Sequence, residues 1–439
     1  MRITLILPSM GKYKDNKCIS SWKMQPLTMA VLAGLTPSGD EIKFYDDRIE
    51  TVPFDEMTDL VAISVETFTA KRAYEISKEY RDRGIPVVMG GFHATLCSDE
   101  AAVHADSIIE GEAESHWQEM LEDVRKGVLK KKYSHSFRPS LSSVTPDRRI
   151  FKGKSYMPIN LVEFGRGCKH ECNFCSITSF YRGSYNHRPV ENVISEIKDL
   201  DDKLIFFVDD NLIADPSSAK DLMKAMLPMK KKWVTQCSIA AADDDQLLDL
   251  MAKSGCVAVL IGLESLSSNN LCQMGKKVNR SKRDLAVRLS KIREKGIKIY
   301  ATFVIGYDDD DENMCRETLE FAVDQKFFIT GFNNLTPFPG TRHYNELRSR
   351  GKLSYETWWL DERYKYGDIP IILDKVSSRY LAMKCVEMRE KFYSWPSVIK
   401  RMLDFKANSK GLDLPLFLYI NLMLRREVRN KLEISLGKM

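Results

Sequence analysis

The feature that most constrains this fold is an alternation that runs twice through the chain. Short apolar, β-branched runs recur, and stretches of helical period separate them. In the first pass the runs are Ile3–Leu7, Ile42–Tyr45, Leu60–Val65, Pro86–Met89 and Ser107–Ile109. Helical periods fall on Pro26–Leu35, on Thr69–Arg83 and on the segment that Gly111 opens, reaching Val124. In the second pass the runs lie near 160–164, 204–209, 233–239, 257–263, 299–305 and 331–336. Helical stretches between them include Val190–Leu200, Ser217–Met229, Asp243–Lys253, Ser281–Lys295 and Glu312–Gln325. A strand that follows a helical crossover returns in the same direction, so both passes predict parallel sheets covered by helices. The expected class is α/β. It comprises an N-terminal Rossmann-like domain with its linker (1–150), a partial TIM-type barrel of six β/α units (151–345) and a C-terminal helical region (346–439).

Both architectures bind ligands beyond the carboxyl ends of their strands, and the polar residues of this chain gather there. In the first domain three turns stand out: Ser64-Val65-Glu66-Thr67, Gly90-Gly91-Phe92-His93-Ala94-Thr95 and Gly111-Glu112-Ala113-Glu114. Gly90 and Gly91 allow a close backbone approach, and Ser64, Thr67 and Thr95 are hydrogen-bond donors. In the second domain the strand ends carry Asp209-Asp210-Asn211, Gln236-Cys237-Ser238, Glu264-Ser265 and Ile305-Gly306-Tyr307.

Directly after the apolar run Ile159–Phe164 come Cys168, Cys172 and Cys175 in C-x-x-x-C-x-x-C spacing. Three thiolates on one tight loop suit three corners of a cubane iron–sulfur cluster, leaving the fourth iron open. A zinc site with His170 or a distant fourth ligand is the alternative. The other cysteines are scattered and form no second C-x-x-C. Ten cysteines in 439 residues do not make a disulfide scaffold, and a reducing cytoplasm is expected.

The net charge is only +5, so nothing demands a polyanionic partner and no nucleic acid is expected. The first apolar run is too short for a signal peptide, and no segment is apolar for the roughly 18 residues a membrane span needs. Arg125-Lys126 and Lys130-Lys131-Lys132 read as a solvated connector. Trp358, Trp359, Tyr364 and Tyr366 form an aromatic patch, and the C-terminal helices are expected to cover the open side of the barrel or the substrate. Leu414–Leu424 reads as a helix packed on the barrel, with an interfacial helix in peripheral membrane contact as the alternative.

The cysteine spacing, with Phe174 just before the last cysteine, resembles the signature of the radical S-adenosylmethionine (SAM) enzymes. Over residues 2–130, the Trp22…Pro26-Leu27 segment and the Gly-Gly-x-His-Ala-Thr turn resemble the cobalamin-binding domain of the cobalamin-dependent members. The resemblance implies a [4Fe-4S] cluster on Cys168, Cys172 and Cys175, with SAM on its open iron. It implies cobalamin on the first-domain turns, at Ser64, Thr67, Gly90, Gly91, Thr95, Gly111 and Glu112. By the same resemblance Asp209, Asp210 and Asn211 face the SAM amino group or the substrate, Glu264 contacts SAM polar groups, and Ile305-Gly306 packs on the adenine. Arg166 and Arg188 would neutralise nearby anionic groups, while His93 reads as a structural loop histidine. The D-x-H-x-x-G motif is absent: Pro8-Ser9-Met10-Gly11 follows the first strand. Cobalt would then take no histidine from that loop, and the lower base would be detached.

The implied activity is methylation of an unactivated carbon on a small or lipid-like substrate. Cobalamin would hold a methyl group from one SAM while a second SAM yields the radical. An electron donor such as flavodoxin or ferredoxin would serve the cluster. The rivals are a radical cyclase or oxidative enzyme on the same scaffold without cobalamin, a first domain that binds no cofactor, and a corrinoid carrier without catalysis. A tRNA methylthiotransferase is disfavoured, because that family carries a second three-cysteine cluster in its N-terminal domain and only Cys18 and Cys97 occur here.

Overall fold

The computed structural model describes residues 1–11, 23–135, 138–142, 144–201, 204–276, 282–411, 413–430, 432 and 434–437. Cys18 and Trp22 lie outside the described residues.

Six strands build the first sheet: β1 (Arg2–Leu7), β2 (Glu41–Asp46), β3 (Leu60–Ser64), β4 (Val87–Gly90), β5 (Ser107–Ile109) and β6 (Lys132–Tyr133). Their order is β2-β1-β3-β4-β5-β6, and every pair is parallel. The order reverses at β1, which is how a doubly wound sheet arises. β1 and β3 are buried over most of their length, as continuous apolar strands covered on both faces must be. Helices Leu27–Leu35, Ala70–Arg81 and Trp117–Lys126 supply the cover. β6 corrects the solvated connector: Lys132 pairs with Ile108 and Tyr133 with Ile109. Tyr133 is its only apolar side chain, and it is buried with its hydroxyl donating to Asp123. Two residues inside a charge run carry no legible alternation.

The second sheet contains β7 (Asn160–Val162), β10 (Leu204–Phe207), β11 (Lys232–Gln236), β12 (Cys256–Glu264), β13 (Lys298–Ile305) and β14 (Ile329–Asn334). They run parallel in the order β14-β13-β12-β11-β10-β7, the six β/α units that the alternation predicts. Between β7 and β10 lies a two-stranded antiparallel hairpin, β8 (Gly165–Gly167) and β9 (Tyr185–His187).

Helix Ser378–Phe392 packs against β14. Arg389 donates to the Phe332 carbonyl, and the Tyr393 hydroxyl donates to that of Thr330. Arg401 is fully buried and donates to the Phe327 and Phe392 carbonyls and to Asn421. The aromatic patch is not open: Trp358, Trp359 and Tyr364 are buried in a cluster with Tyr74, Ile76 and other first-domain residues. Helix Asp413–Glu427 buries only Phe417 and Asn421 and leaves Leu416 and Tyr419 exposed. Among the described residues no helix is long and apolar enough to cross a membrane.

Candidate functional site

The cysteine loop hangs between β8 and the helix Ser176–Tyr181. Two glycines permit the hairpin. A Cβ on Gly165 would collide with the Tyr185 ring, and one on Gly167, at φ +91°, with the Ser184 carbonyl.

The polar turn after β10 braces this hairpin. Asp209 accepts the Phe164 N–H at 3.0 Å and the Gly165 N–H at 2.6 Å. Asp210 accepts the Gly167 N–H at 2.8 Å. Asn211 accepts the Ser238 N–H at 3.1 Å and directs its amide at Cys168 Sγ, 3.8 Å away. Asp209 is therefore spent on backbone rather than facing a ligand, and burial pushes its carboxyl well above the carboxylate range. The far side of the loop is tied as firmly. The Asn173 N–H and side-chain amide donate to the Met274 and Gln273 carbonyls, and the His343 N–H donates to the Asn173 carbonyl.

Cys168, Cys172 and Cys175 share one electrostatic environment. Burial pushes the Cys172 thiol up to about 11, Lys276 opposes the rise, and Cys175, Glu264 and Cys168 add to it. Among the described residues no three His, Cys, Asp or Glu side chains converge on a single metal position, His170 included. A cubane takes each thiolate at a different iron, so its ligands need not converge; the donor set and loop fit the cluster. Glu264, at the end of β12, has φ +67°, a conformation that costs a non-glycine residue energy and persists where surrounding structure enforces it. A register shift between Gly262 and Glu264 marks the spot. Lys276 holds Glu264 at 2.8 Å and the Gly262 carbonyl at 2.6 Å. Sequence reasoning missed Lys276, since no spacing links a turn lysine to a strand end. Ile305 is buried, and the Gly306 N–H donates to Asp310.

A cavity of about 360 Å³ opens between the two domains. Ser64, Glu66, Gly90, Gly91, Gly111 and Glu112 line it from the first sheet, and Gly165, Arg166, Tyr181 and Asp210 from the barrel side. Its apolar lining includes Val31, Leu32, Ala62, Val88, Ile109 and Trp117. A second cavity of about 390 Å³ shares Gly111, Glu112, Phe180 and Tyr181 with it. A Cβ on Gly111, at φ +83°, would point into open space. Thr67 and Thr95 are not among the lining residues of the first cavity. Thr67 is buried with its hydroxyl 3.3 Å from His93 Nδ1. Thr95 lines the second cavity, donates to the Gly91 carbonyl and accepts the Gly111 N–H, joining two turns.

The two predicted arginines serve the protein's own carboxylates. Arg166 contacts Glu114 at 2.6 Å, Glu163 at 2.7 Å and Glu112 at 3.4 Å. Arg138 holds Glu112 at 2.8 Å, and Arg188 pairs with Glu196. His93 is fully buried, with Nε2 near Glu100 and the Tyr74 hydroxyl, as a structural histidine should be.

The model of the radical SAM superfamily matches residues 162–322. A bacteriochlorophyllide d C-12(1)-methyltransferase of Chlorobaculum tepidum is 29% identical over 92% of this chain and 89% of its own length. The C-8(2)-methyltransferase of the same organism is 28% identical over 86% and 87%. Among solved structures, TsrM from Kitasatospora setae superposes with TM-score 0.66 at 14% identity, over 98% of both chains. OxsB, a cobalamin-dependent SAM radical enzyme, superposes with TM-score 0.68 at 14% identity, over 97% of this chain and 71% of its own. The chain thus carries three cysteines on the loop after the first barrel strand, within the segment that the radical SAM superfamily model matches, and with a Rossmann-like sheet ahead of the barrel it has the fold of TsrM and OxsB.

Proposed function

We propose that the protein is a cobalamin-dependent radical SAM methyltransferase acting on an unactivated carbon. The observation that carries this reading is the interdomain cavity, walled on one side by the first-domain turns and on the other by the hairpin that holds the cysteine loop. When bound, the cluster, SAM and cobalamin supply an electron, a hydrogen-abstracting radical and a transferable methyl group.

Cys168, Cys172 and Cys175 would hold the cluster, while Asp209, Asp210 and Asn211 fix the loop that carries them. Glu264, oriented by Lys276, would bind polar groups of SAM, and Ile305-Gly306 would border its adenine. Ser64, Gly90, Gly91, Gly111 and Glu112 would cradle the corrinoid, with Thr95 bracing two of those turns. The apolar part of the lining suits the hydrocarbon periphery of a corrinoid. Among the described residues no histidine or cysteine lines the first cavity, while His116 and His135 line the adjoining one.

The relatives named for bacteriochlorophyllide d methylation make a tetrapyrrole or another bulky apolar small molecule the first substrate to try. A flavodoxin- or ferredoxin-class protein would donate the electron. The nine described cysteines are all unpaired, which supports a reducing compartment.

The test is an anaerobic incubation of reconstituted protein with SAM, hydroxocobalamin, reductant and bacteriochlorophyllide d. Methylated product, S-adenosylhomocysteine, methionine and 5′-deoxyadenosine should appear together, and Ala at all three cysteines should abolish iron and colour. Deoxyadenosine without S-adenosylhomocysteine would favour a cyclase or oxidative reaction instead.

A further inference from the structure

The last two helices present a surface unlike the rest of the molecule. Among the described residues thirteen large apolar side chains are exposed, and six of them lie between positions 395 and 419: Trp395, Ile399, Leu403, Phe405, Leu416 and Tyr419. The three aromatic ones are all in this group, with Phe405 70% and Tyr419 66% exposed. Helix Trp395–Met402 buries Ser397, Val398 and Arg401 and turns Trp395 and Ile399 outward, a row that Leu403 continues. An ordinary surface helix carries polar residues on that side. Val398 and Phe417 share one buried cluster, so helices Trp395–Met402 and Asp413–Glu427 adjoin. The Arg425 guanidinium lies 5.8 Å from the centre of the Trp395 ring and borders the exposed row. Lys400, Lys406, Lys410, Arg425 and Arg426 are exposed along the same stretch. Lys400 and Lys406 are shared with Asp324 and Glu294, whereas Lys410, Arg425 and Arg426 have no carboxylate partner among the described residues. Of the acids between 395 and 430, Asp404 is buried against Arg293 and Asp413 is tied to Lys298, which leaves Glu427.

We propose that this face rests on an anionic lipid bilayer, with the aromatic and aliphatic side chains at the acyl boundary and the basic ones among the headgroups. Burial of apolar side chains and attraction of lysine and arginine to negative lipid add together in such a contact. A second copy of the chain fits the face poorly. A two-fold contact sets Lys410, Arg425 and Arg426 against their own counterparts, with Glu427 alone to offset them. Among the described residues no helix crosses a membrane, so the contact is peripheral. The face lies at the amino ends of the barrel strands. Lys298, the first residue of β13, pairs with Asp413, and Arg401 donates to the Phe327 and Phe328 carbonyls just before β14. The cysteine loop and Glu264 lie at the carboxyl ends of their strands, so docking leaves the barrel mouth free. The contact requires nothing of the function proposed above.

The test floats full-length protein on a density gradient with vesicles of phosphatidylcholine, or of phosphatidylcholine mixed with phosphatidylglycerol, at low and high salt. Wild type should float with the mixed vesicles at low salt, and much less with the neutral ones or at high salt, where the attraction is screened. Phe405→Ser combined with Tyr419→Ser should lower partitioning by about tenfold or more, since two exposed rings leave the interface. Lys410→Glu combined with Arg426→Glu should lower it by about tenfold or more on mixed vesicles alone. All four side chains are exposed, so melting temperature and iron content after reconstitution should match wild type in both variants. A monomeric wild type that floats with neither vesicle would overturn the proposal. So would flotation that ignores lipid charge or is equal in wild type and both variants. A dimer that floats with neither vesicle, and that Phe405→Ser with Tyr419→Ser dissociates, would also overturn it and give the face to a second copy.

Discussion

Lys276 Nζ lies 2.8 Å from Glu264 Oε1, and both side chains are largely buried. The pair sits where β12 ends in a left-handed residue, and Lys276, held also by the Gly262 carbonyl, sets the direction of the strand-end carboxylate. Removing one partner of a buried pair leaves an uncompensated charge. Lys276→Met should cost on the order of 3 kcal/mol in urea unfolding, and the double variant with Glu264→Gln should recover most of that loss. Equal losses in the single and double variants would show that the ion pair is not what stabilises this corner.

Asp209 gives a different signature. Both of its oxygens accept backbone N–H groups of the segment leading into the cysteine loop. In Asp209→Asn one oxygen becomes an NH₂ facing an N–H, a mismatch of about 1–3 kcal/mol. The variant should fold but hold less iron after anaerobic reconstitution, because the loop that presents the thiols is no longer anchored. Full iron content in Asp209→Asn would contradict the bracing role.

Much of this arrangement was legible in the chain, and the parts that were not share a physical cause. The barrel strands and the strand-end positions of Asp209 and Glu264 follow from apolar runs with polar ends, which are local patterns. The hairpin partner Gly165-Arg166-Gly167 was not legible, since glycine is a poor strand former and the segment has no alternation. Lys276 reaches Glu264 from a turn, and Trp359 reaches Glu100 across 259 positions of sequence. Such contacts depend on tertiary placement, and periodicity is silent about them. The aromatic patch was visible as composition, but its burial against the first domain was not.

Arg166 joins the domains: Glu112 and Glu114 come from the first, Glu163 from the second. Arg166→Ala should cost about 3 kcal/mol or more, since it strands buried carboxylates. Arg166→Lys should rescue it poorly, because one ammonium cannot reproduce a guanidinium shared among three acids. Thermal unfolding with and without hydroxocobalamin checks this. A lysine variant as stable as wild type would reduce the site to simple charge balance.

The last prediction concerns the contact between Trp359 and Glu100. The indole N–H donates to Glu100 Oε1 at 2.9 Å, and His93 and Tyr74 meet the same oxygen. Burial alone would raise the Glu100 carboxyl, but hydrogen bonds from His93, Trp359 and Tyr74 outweigh it and hold the group below its ordinary 4.5. A carboxyl lowered in the folded state adds stability above its unfolded value, and that stability is lost as pH falls through the lowered one. Trp359→Phe should therefore cost roughly 2 kcal/mol at neutral pH, the worth of a hydrogen bond to a charged acceptor. Part of that gap should close as pH drops below 4.5, because protonated Glu100 no longer rewards the indole donor. Urea midpoints for wild type and Trp359→Phe across this range provide the measurement. A gap that stays constant with pH would mean that the tryptophan acts only through its packing in the first-domain core.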